Sequence, residues 1–192
     1  MISIGRYANF RNSKVSKLPN LKSIGGNAEF QESSISNLSN LEYLGGYSNF
    51  SGVQNLKELP KIREVNGDLY LVYSKITNLD SLEKIVGNAE LSRSHITNLP
   101  KLEIVNGCAD FSRSPIEKID NLRVVCGDLR LGFSKITNLD NLELIGGDLF
   151  CSNAELKSLE KLNSIKGNVY MEQNCKLPKK YLEDKVTKTI FS

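Results

Sequence analysis

A fixed twenty-residue period constrains this chain more than any other feature. A glycine, or its substitute, falls at Arg6, Gly26, Gly46, Gly67, Gly87, Gly107, Gly127, Gly147 and Gly167. Every step is 20 residues except one of 21, between Gly46 and Gly67. A period of this length with recurring leucines signals a solenoid, because one repeat cannot bury its own apolar face and stacked neighbours can. Counting the glycine as offset 0, offsets 2 and 4 are apolar or small, as in Leu69 and Leu71. That alternation predicts a strand with one face buried. The glycine before it serves either a positive φ or a close backbone approach. Offsets 9, 12, 15 and 18 are apolar too, here Ile76, Leu79, Leu82 and Ile85. A spacing of three suits 3₁₀ turns or irregular extended arcs. Each coil therefore reads as a strand, a corner and a curved return path.

Offset 7 is mostly serine, at Ser13, Ser33, Ser74, Ser94, Ser114 and Ser134, with Val53 and Ala154 as exceptions. A hydroxyl there can satisfy backbone groups at the corner. The repetition marks a structural position, since a catalytic serine needs no copies. The extra residue of the third coil lies near Gly52-Val53-Gln54-Asn55 and predicts a bulge that shifts the sheet edge.

The pattern Leu-x-Leu-x-x-Ser-x-Ile-x-x-Leu-x-x-Leu-x-x-Ile resembles the leucine-rich repeat, with serine where that family usually has asparagine. The return path Lys75-Ile76-Thr77-Asn78-Leu79-Asp80-Ser81-Leu82 looks like the internalin type. The lead-in Ile145-Gly146-Gly147-Asp148-Leu149-Phe150-Cys151 resembles the L domains of growth-factor receptors and of some fungal wall proteins. The resemblance covers roughly residues 4 to 177. It implies a mainly β, right-handed solenoid with one long parallel sheet and 3₁₀ or irregular return arcs. It carries over no binding residue, because these families share a scaffold and bind unrelated partners.

The expected organisation is one domain, with nine coils over 1–178 and a C-terminal cap over 179–192. Nine strands at about 4.8 Å spacing make a sheet about 40 Å long. Pro178 to Lys188 reads as a short helix with Tyr181, Leu182, Lys185 and Val186 on one side, covering the last strand. At the other end, Arg6 replaces glycine and no helix covers the first strand. Arg6, Arg11, Lys14, Lys17 and Lys22 blunt that edge, or a second copy pairs with it, or with the sheet face, into a homodimer.

The balance of 25 basic and 22 acidic residues leaves +3, too little to argue for nucleic acid or a membrane surface. No apolar run approaches the roughly 20 residues that span a bilayer. The start Met1-Ile2-Ser3-Ile4-Gly5 runs straight into the first repeat and does not read as a signal peptide. Cys108 and Cys126 fall about 8 Å apart between Cα atoms, beyond disulfide reach. With Cys151 in the core and Cys175 in the last coil, all four cysteines read as thiols of a reducing, cytoplasmic compartment.

Offsets 1, 3, 5 and 6 form the outward face of the strand. Seven of the 14 aromatic residues fall there: Tyr7, Tyr47, Tyr70, Tyr73, Phe133, Phe150 and Tyr170. The basic residues there are all arginine, Arg11, Arg93, Arg113 and Arg130, and none of the 18 lysines is among them. Binding surfaces are enriched in tyrosine, phenylalanine and arginine and depleted of lysine. Strand propensity alone also favours aromatic residues over lysine. A candidate partner-binding cluster follows: Tyr70, Tyr73, Arg93, Arg113, Arg130, Phe133, Phe150 and Tyr170.

Three functions compete for this face. The first is a non-catalytic scaffold that binds a protein partner, with no metal and no cofactor. The second is a site for a small anionic or nucleotide-like ligand, held by Arg93 and Arg113 stacked between Tyr73 and Phe133. The remote third is a carbohydrate-active enzyme using Asp110, Asp128 and Asp148. The offset-1 acids and asparagines read better as a ladder of turn hydrogen bonds. His95, the one histidine, sits at an outer corner and reads as a solvated residue. No Cys-x-x-Cys, phosphate loop or nucleophile elbow is present.

Overall fold

The structure is a computed structural model that describes residues 2–172, 177–178 and 188–191. These residues build two parallel sheets that share every coil. One lies just before the glycine corner and has nine strands, running from Ile2–Ile4 through pairs such as Lys84–Ile85 and Val124–Val125 to Ser164–Ile165. The other lies just after it and has ten, from Ala8–Asn9 through Leu69–Tyr70 and Leu129–Arg130 to Asn168–Met171 and Lys188–Phe191. In both, strands follow one another in chain order and every neighbour is parallel. The chain is a parallel β-solenoid.

The expectation of one long sheet is corrected here. The pre-glycine strands form because buried backbone groups need partners, and an unbroken period puts the same groups of the next coil beside them. Gly45 N–H donates to Ile24 C=O at 2.8 Å and Cys126 N–H to Val105 C=O at 2.9 Å. Single bridges add a third line of contact, at Lys17↔Asn37, Glu58↔Asn78, Asn98↔Lys118 and Asn138↔Ser158. Of the two return paths expected, 3₁₀ or irregular, the irregular one is found, since no described residue is helical. The spacing of three comes from isolated turns, in which Leu82 N–H donates to Leu79 C=O at 2.9 Å and Leu122 N–H to Ile119 C=O at 3.0 Å. A single such turn puts two side chains inward without a helical run.

Most of the predicted C-terminal helix lies outside the described residues. At its ends, Pro178 is not helical and Lys188 opens a strand. That strand pairs in parallel with its equivalent twenty residues earlier, Asn168↔Lys188 to Met171↔Phe191. The period thus outruns the cap that was expected to end it.

The core is a set of stacked columns. Leu69, Leu71, Ile76, Leu79, Leu82 and Ile85 are all buried, and so are their equivalents in the next four coils. In the first three coils the offset-4 column is aromatic, with Phe10 stacked on Phe30 at 5.0 Å and Phe30 on Phe50 at 4.9 Å. The corner glycines are there for close approach, since none of them has a positive φ. A Cβ on Gly67 would meet Tyr47 N at 2.5 Å and Gly46 C at 2.7 Å. Beside them runs the expected ladder. Asp68 Oδ1 accepts from Asn88 N–H at 2.7 Å, Asn88 Oδ1 from Cys108 N–H at 2.8 Å, and Asp148 Oδ1 from Asn168 N–H at 2.7 Å. Cys108 keeps the ladder with its Sγ, 3.4 Å from Asp128 N.

The serine column does less than expected. Ser13 Oγ accepts from Val15 N–H at 3.1 Å, Ser94 Oγ from Ile96 N–H at 3.4 Å, and Ser114 Oγ donates to Phe111 C=O, but Ser33, Ser74 and Ser134 are buried with no partner for the hydroxyl. Val53 and Ala154 are buried at the same place, so the position selects for small size more than for hydrogen bonding. The extra residue of the third coil does not shift the sheet edge either. Ser48↔Leu69 and Asn49↔Tyr70 stay in step, and the corner absorbs the insertion. There the Gln54 amide donates to the carbonyls of Gly52 and Tyr73 at 2.9 and 3.0 Å. Among the described residues, Cys108, Cys126 and Cys151 form no disulfide, and no helix is long and apolar enough to cross a membrane. Cys175 lies outside the described residues.

Candidate recognition face

The face is positioned by the turn that ends each post-glycine strand. The N–H at offset 7 donates to the carbonyl at offset 4, as Ser74 does to Leu71 at 2.9 Å and Ser134 to Leu131 at 2.9 Å. Within that turn offset 6 has a positive φ and offset 5 does not. This is the type II pattern, whose third residue is ordinarily glycine or asparagine. Asn12, Gly52 and Asn153 meet that demand, at φ 54°, 71° and 57°. Glu32 holds the same conformation in the second coil. Over four consecutive coils the position is instead Tyr73, Arg93, Arg113 and Phe133, at φ 57°, 55°, 54° and 59°. A bulky side chain in the left-handed region is an outlier that costs roughly 1–2 kcal/mol. Strain of this kind gathers where function over-determines the residue.

The corner residues make one row. The Arg93 guanidinium lies over the Tyr73 ring, 5.3 Å from its centroid, and donates to the Tyr73 hydroxyl. The Arg113 guanidinium lies 4.6 Å from the centre of Phe133. Tyr73 and Phe133 are 55% and 54% exposed, among the most open large side chains of the structure. Offset 3 makes a second, half-buried row. Tyr70 there is met edge-on at 5.5 Å by Tyr47, from offset 1 of the coil before, and its hydroxyl donates to Asp68 Oδ2 at 3.1 Å. Further along, the Arg130 guanidinium sits 5.0 Å from the Phe150 centroid, held by Asp128 Oδ2 at 2.9 Å, and Phe150 stacks on Tyr170 at 4.6 Å. Between the rows, offset 5 carries Val72, Ser92, Ser112, Gly132 and Ser152, mostly small residues.

All eight residues singled out in the sequence lie on this face, but as separate groups. Tyr73 pairs with Arg93, Arg113 with Phe133, and Arg130 with Phe150 and Tyr170. Tyr70 joins Tyr47, which the sequence-derived cluster omitted. Glu90 and Asp110 occupy the strand positions between Tyr70 and Arg130. Burial, and then the neighbouring Asp110 carboxylate, push the Glu90 carboxyl above its ordinary value, while Arg130 pulls it back. Burial also raises the phenols of Tyr47 and Tyr70, with Asp68 adding to the rise at Tyr70.

Two arginines on the far side of the coil are neutralised. Arg123 binds Glu143 one coil on at 2.8 Å, and Arg63 lies 3.7 Å from Glu83. Among the described residues Arg93 and Arg113 form no ion pair, so two guanidinium edges face solvent without a carboxylate. The acids of the enzymatic alternative are committed to local structure. Asp128 and Asp148 carry the ladder, and Asp110 Oδ1 accepts from Ser112 N–H at 2.9 Å. His95 is an exposed corner residue whose Nδ1 lies 3.0 Å from the Ser74 carbonyl. No group of three or more potential metal ligands occurs among the described residues. Two hollows, of about 330 and 370 Å³, lie on the return arcs near Lys118 and Arg123.

Comparison with protein-family profiles, with curated proteins and with solved structures finds no match for this chain. Its class is therefore given by its own fold: a parallel β-solenoid of twenty-residue coils.

Proposed function

We propose that the protein is a non-catalytic recognition scaffold that binds a protein partner through the post-glycine face. The observation that carries this reading is the run Tyr73, Arg93, Arg113, Phe133 in turn positions that glycine or asparagine would fill without strain. Their two exposed cation–π pairs return less to the fold than the four strained turns cost. A partner gains exposed aromatic area and two guanidinium edges suited to its carboxylates. The leucine-rich-repeat kinship, the right-handed winding and a reducing, cytoplasmic setting belong to the same reading.

The small-anion alternative is weaker. It needs Arg93 and Arg113 to converge, and each turns to its own ring instead. An open face also lacks the enclosure small ligands favour.

The test is a pull-down with the intact chain and with Tyr73→Ala/Arg113→Ala/Phe133→Ala. Truncating three central anchors is expected to weaken binding on the order of 10³-fold, enough to lose the partner. The circular dichroism spectrum should stay unchanged. A specific partner retained by the triple variant overturns this reading.

A further inference from the structure

Across the four coils from Gly67 to Gly146 the face sorts its charge into two rows. Offset 6 runs Tyr73, Arg93, Arg113, Phe133, and offset 3 beside it runs Tyr70, Glu90, Asp110, Arg130. The register holds through both. Glu90 pairs with Asp110 across the ladder, and the Arg93 and Arg113 N–H groups donate to the Ser112 and Gly132 carbonyls one coil on, at 3.1 and 2.8 Å. Like charges are therefore neighbours within each row, an arrangement that costs a sheet stability. The return arc is arranged the other way. There Lys22 meets Glu42 at 3.4 Å, Arg63 meets Glu83 at 3.7 Å and Arg123 meets Glu143 at 2.8 Å, each pair joining adjacent coils. On the face, Glu90 shares a coil with Arg93 and Asp110 with Arg113, yet none of the four forms an ion pair among the described residues. Between the rows the small residues Ser92, Ser112 and Gly132 leave a shallow trough. One of its walls is basic and the other acidic, and both wait for counter-charges.

Spacing says what fits between the walls. Three coil steps from Tyr73 to Phe133 cover about 14 Å, and four residue steps of an extended chain cover about 13 Å. An extended segment laid along the solenoid axis sends alternate side chains to opposite walls. Its first, third and fifth residues then fall at Tyr73, at the gap between Arg93 and Arg113, and at Phe133. Its second and fourth fall beside Glu90 and Asp110. The order that suits every position is apolar, basic, acidic, basic, apolar. The acidic side chain can reach either guanidinium edge, so the two arginines need not converge on it. No stretch of these 192 residues has that order, which argues against a second copy as the occupant.

We propose that the trough binds an extended segment of a protein partner in which an apolar, a basic, an acidic, a basic and an apolar residue follow one another. Its carboxylate meets the Arg93 and Arg113 row, its two cations meet Glu90 and Asp110, and its apolar ends cover Tyr73 and Phe133. This rests on the recognition-face reading and adds to it the chemistry of what is recognised.

A labelled peptide with Leu-Lys-Glu-Lys-Leu between glycine and serine flanks tests it. Leu-Glu-Lys-Lys-Leu, of the same composition and net charge, is the control. Fluorescence anisotropy on the whole chain is expected to show the first peptide binding at least about tenfold tighter, and more weakly as salt rises. Glu90→Lys should remove that preference. Arg93→Glu/Arg113→Glu should bring Leu-Lys-Lys-Lys-Leu ahead of both peptides, and Glu32 shows that this turn position accepts glutamate. The circular dichroism of both variants should match the parent. Equal binding of the first two peptides, an undiminished preference in Glu90→Lys, or no saturable binding up to about 1 mM would each overturn the proposal. So would a partner that is lost with Tyr73→Ala/Arg113→Ala/Phe133→Ala and kept with Glu90→Lys, an outcome that leaves the recognition-face reading standing.

Discussion

Gly67→Ala is expected to destabilise the protein by about 3 kcal/mol, seen as a lower urea midpoint. The reason is the corner itself. The added Cβ meets Tyr47 N at 2.5 Å, Gly46 C at 2.7 Å and Tyr47 Cα at 3.0 Å, all backbone atoms of the preceding coil. A flexible side chain could move aside, but these atoms sit between two ladders. Relief would pull Glu64–Val65 out of one sheet or Leu69–Tyr70 out of the other. Gly132→Ala is the control. Its Cβ meets only Ser152 O, at 3.3 Å, and its φ is not positive. The control should stay within about 1 kcal/mol of the parent. Equal effects at the two sites would mean that the corners are not in close contact.

Phe50→Ala is expected to cost about 3–5 kcal/mol by the same measurement. Phe50 is fully buried and its ring stacks on Phe30 at 4.9 Å. Truncation leaves a void that the coils cannot close, because their spacing is fixed by backbone hydrogen bonds on both sides, such as Phe30 N–H to Asn49 C=O and Phe50 N–H to Tyr70 C=O. Phe10→Ala should cost clearly less, since Phe10 is only partly buried whereas Phe50 is sealed. A loss below about 1.5 kcal/mol for Phe50→Ala would contradict the stacked-column description.

The period and the core were legible in the sequence because stacking gives each offset the same neighbour in every coil. Leu69, Leu129 and Leu149 share one column for that reason. The pre-glycine sheet was not legible. Its strands are mostly two residues long, and the outward member varies from Ser23 to Glu64, Lys84 and Val124, so no alternation marks them. The last strand was missed because Lys179 to Val186 carries helical spacing, which hid the equivalence of Lys188 with Asn168. The face could be read, since sharing an offset means sharing a side of the sheet. Its pairing could not, because register puts Arg93 equally near Tyr73 and Arg113, and the side-chain rotamer decides between them. One signal was available and unused. Asn12, Gly52 and Asn153 at offset 6 already spelled a left-handed turn position, and that singles out the four bulky residues between them.

The central claim is that Tyr73, Arg93, Arg113 and Phe133 occupy those turns for recognition and at the expense of stability. The most direct test is the melting temperature of the variant carrying asparagine at all four positions. Relief of roughly 1 kcal/mol per turn, set against the loss of two exposed cation–π pairs, leaves a net gain on the order of 2 kcal/mol. For a chain of this size that raises the melting temperature by about 4–8 °C. A melting temperature lowered by a similar amount would mean that the row holds the solenoid together, and that its residues are explained without a partner.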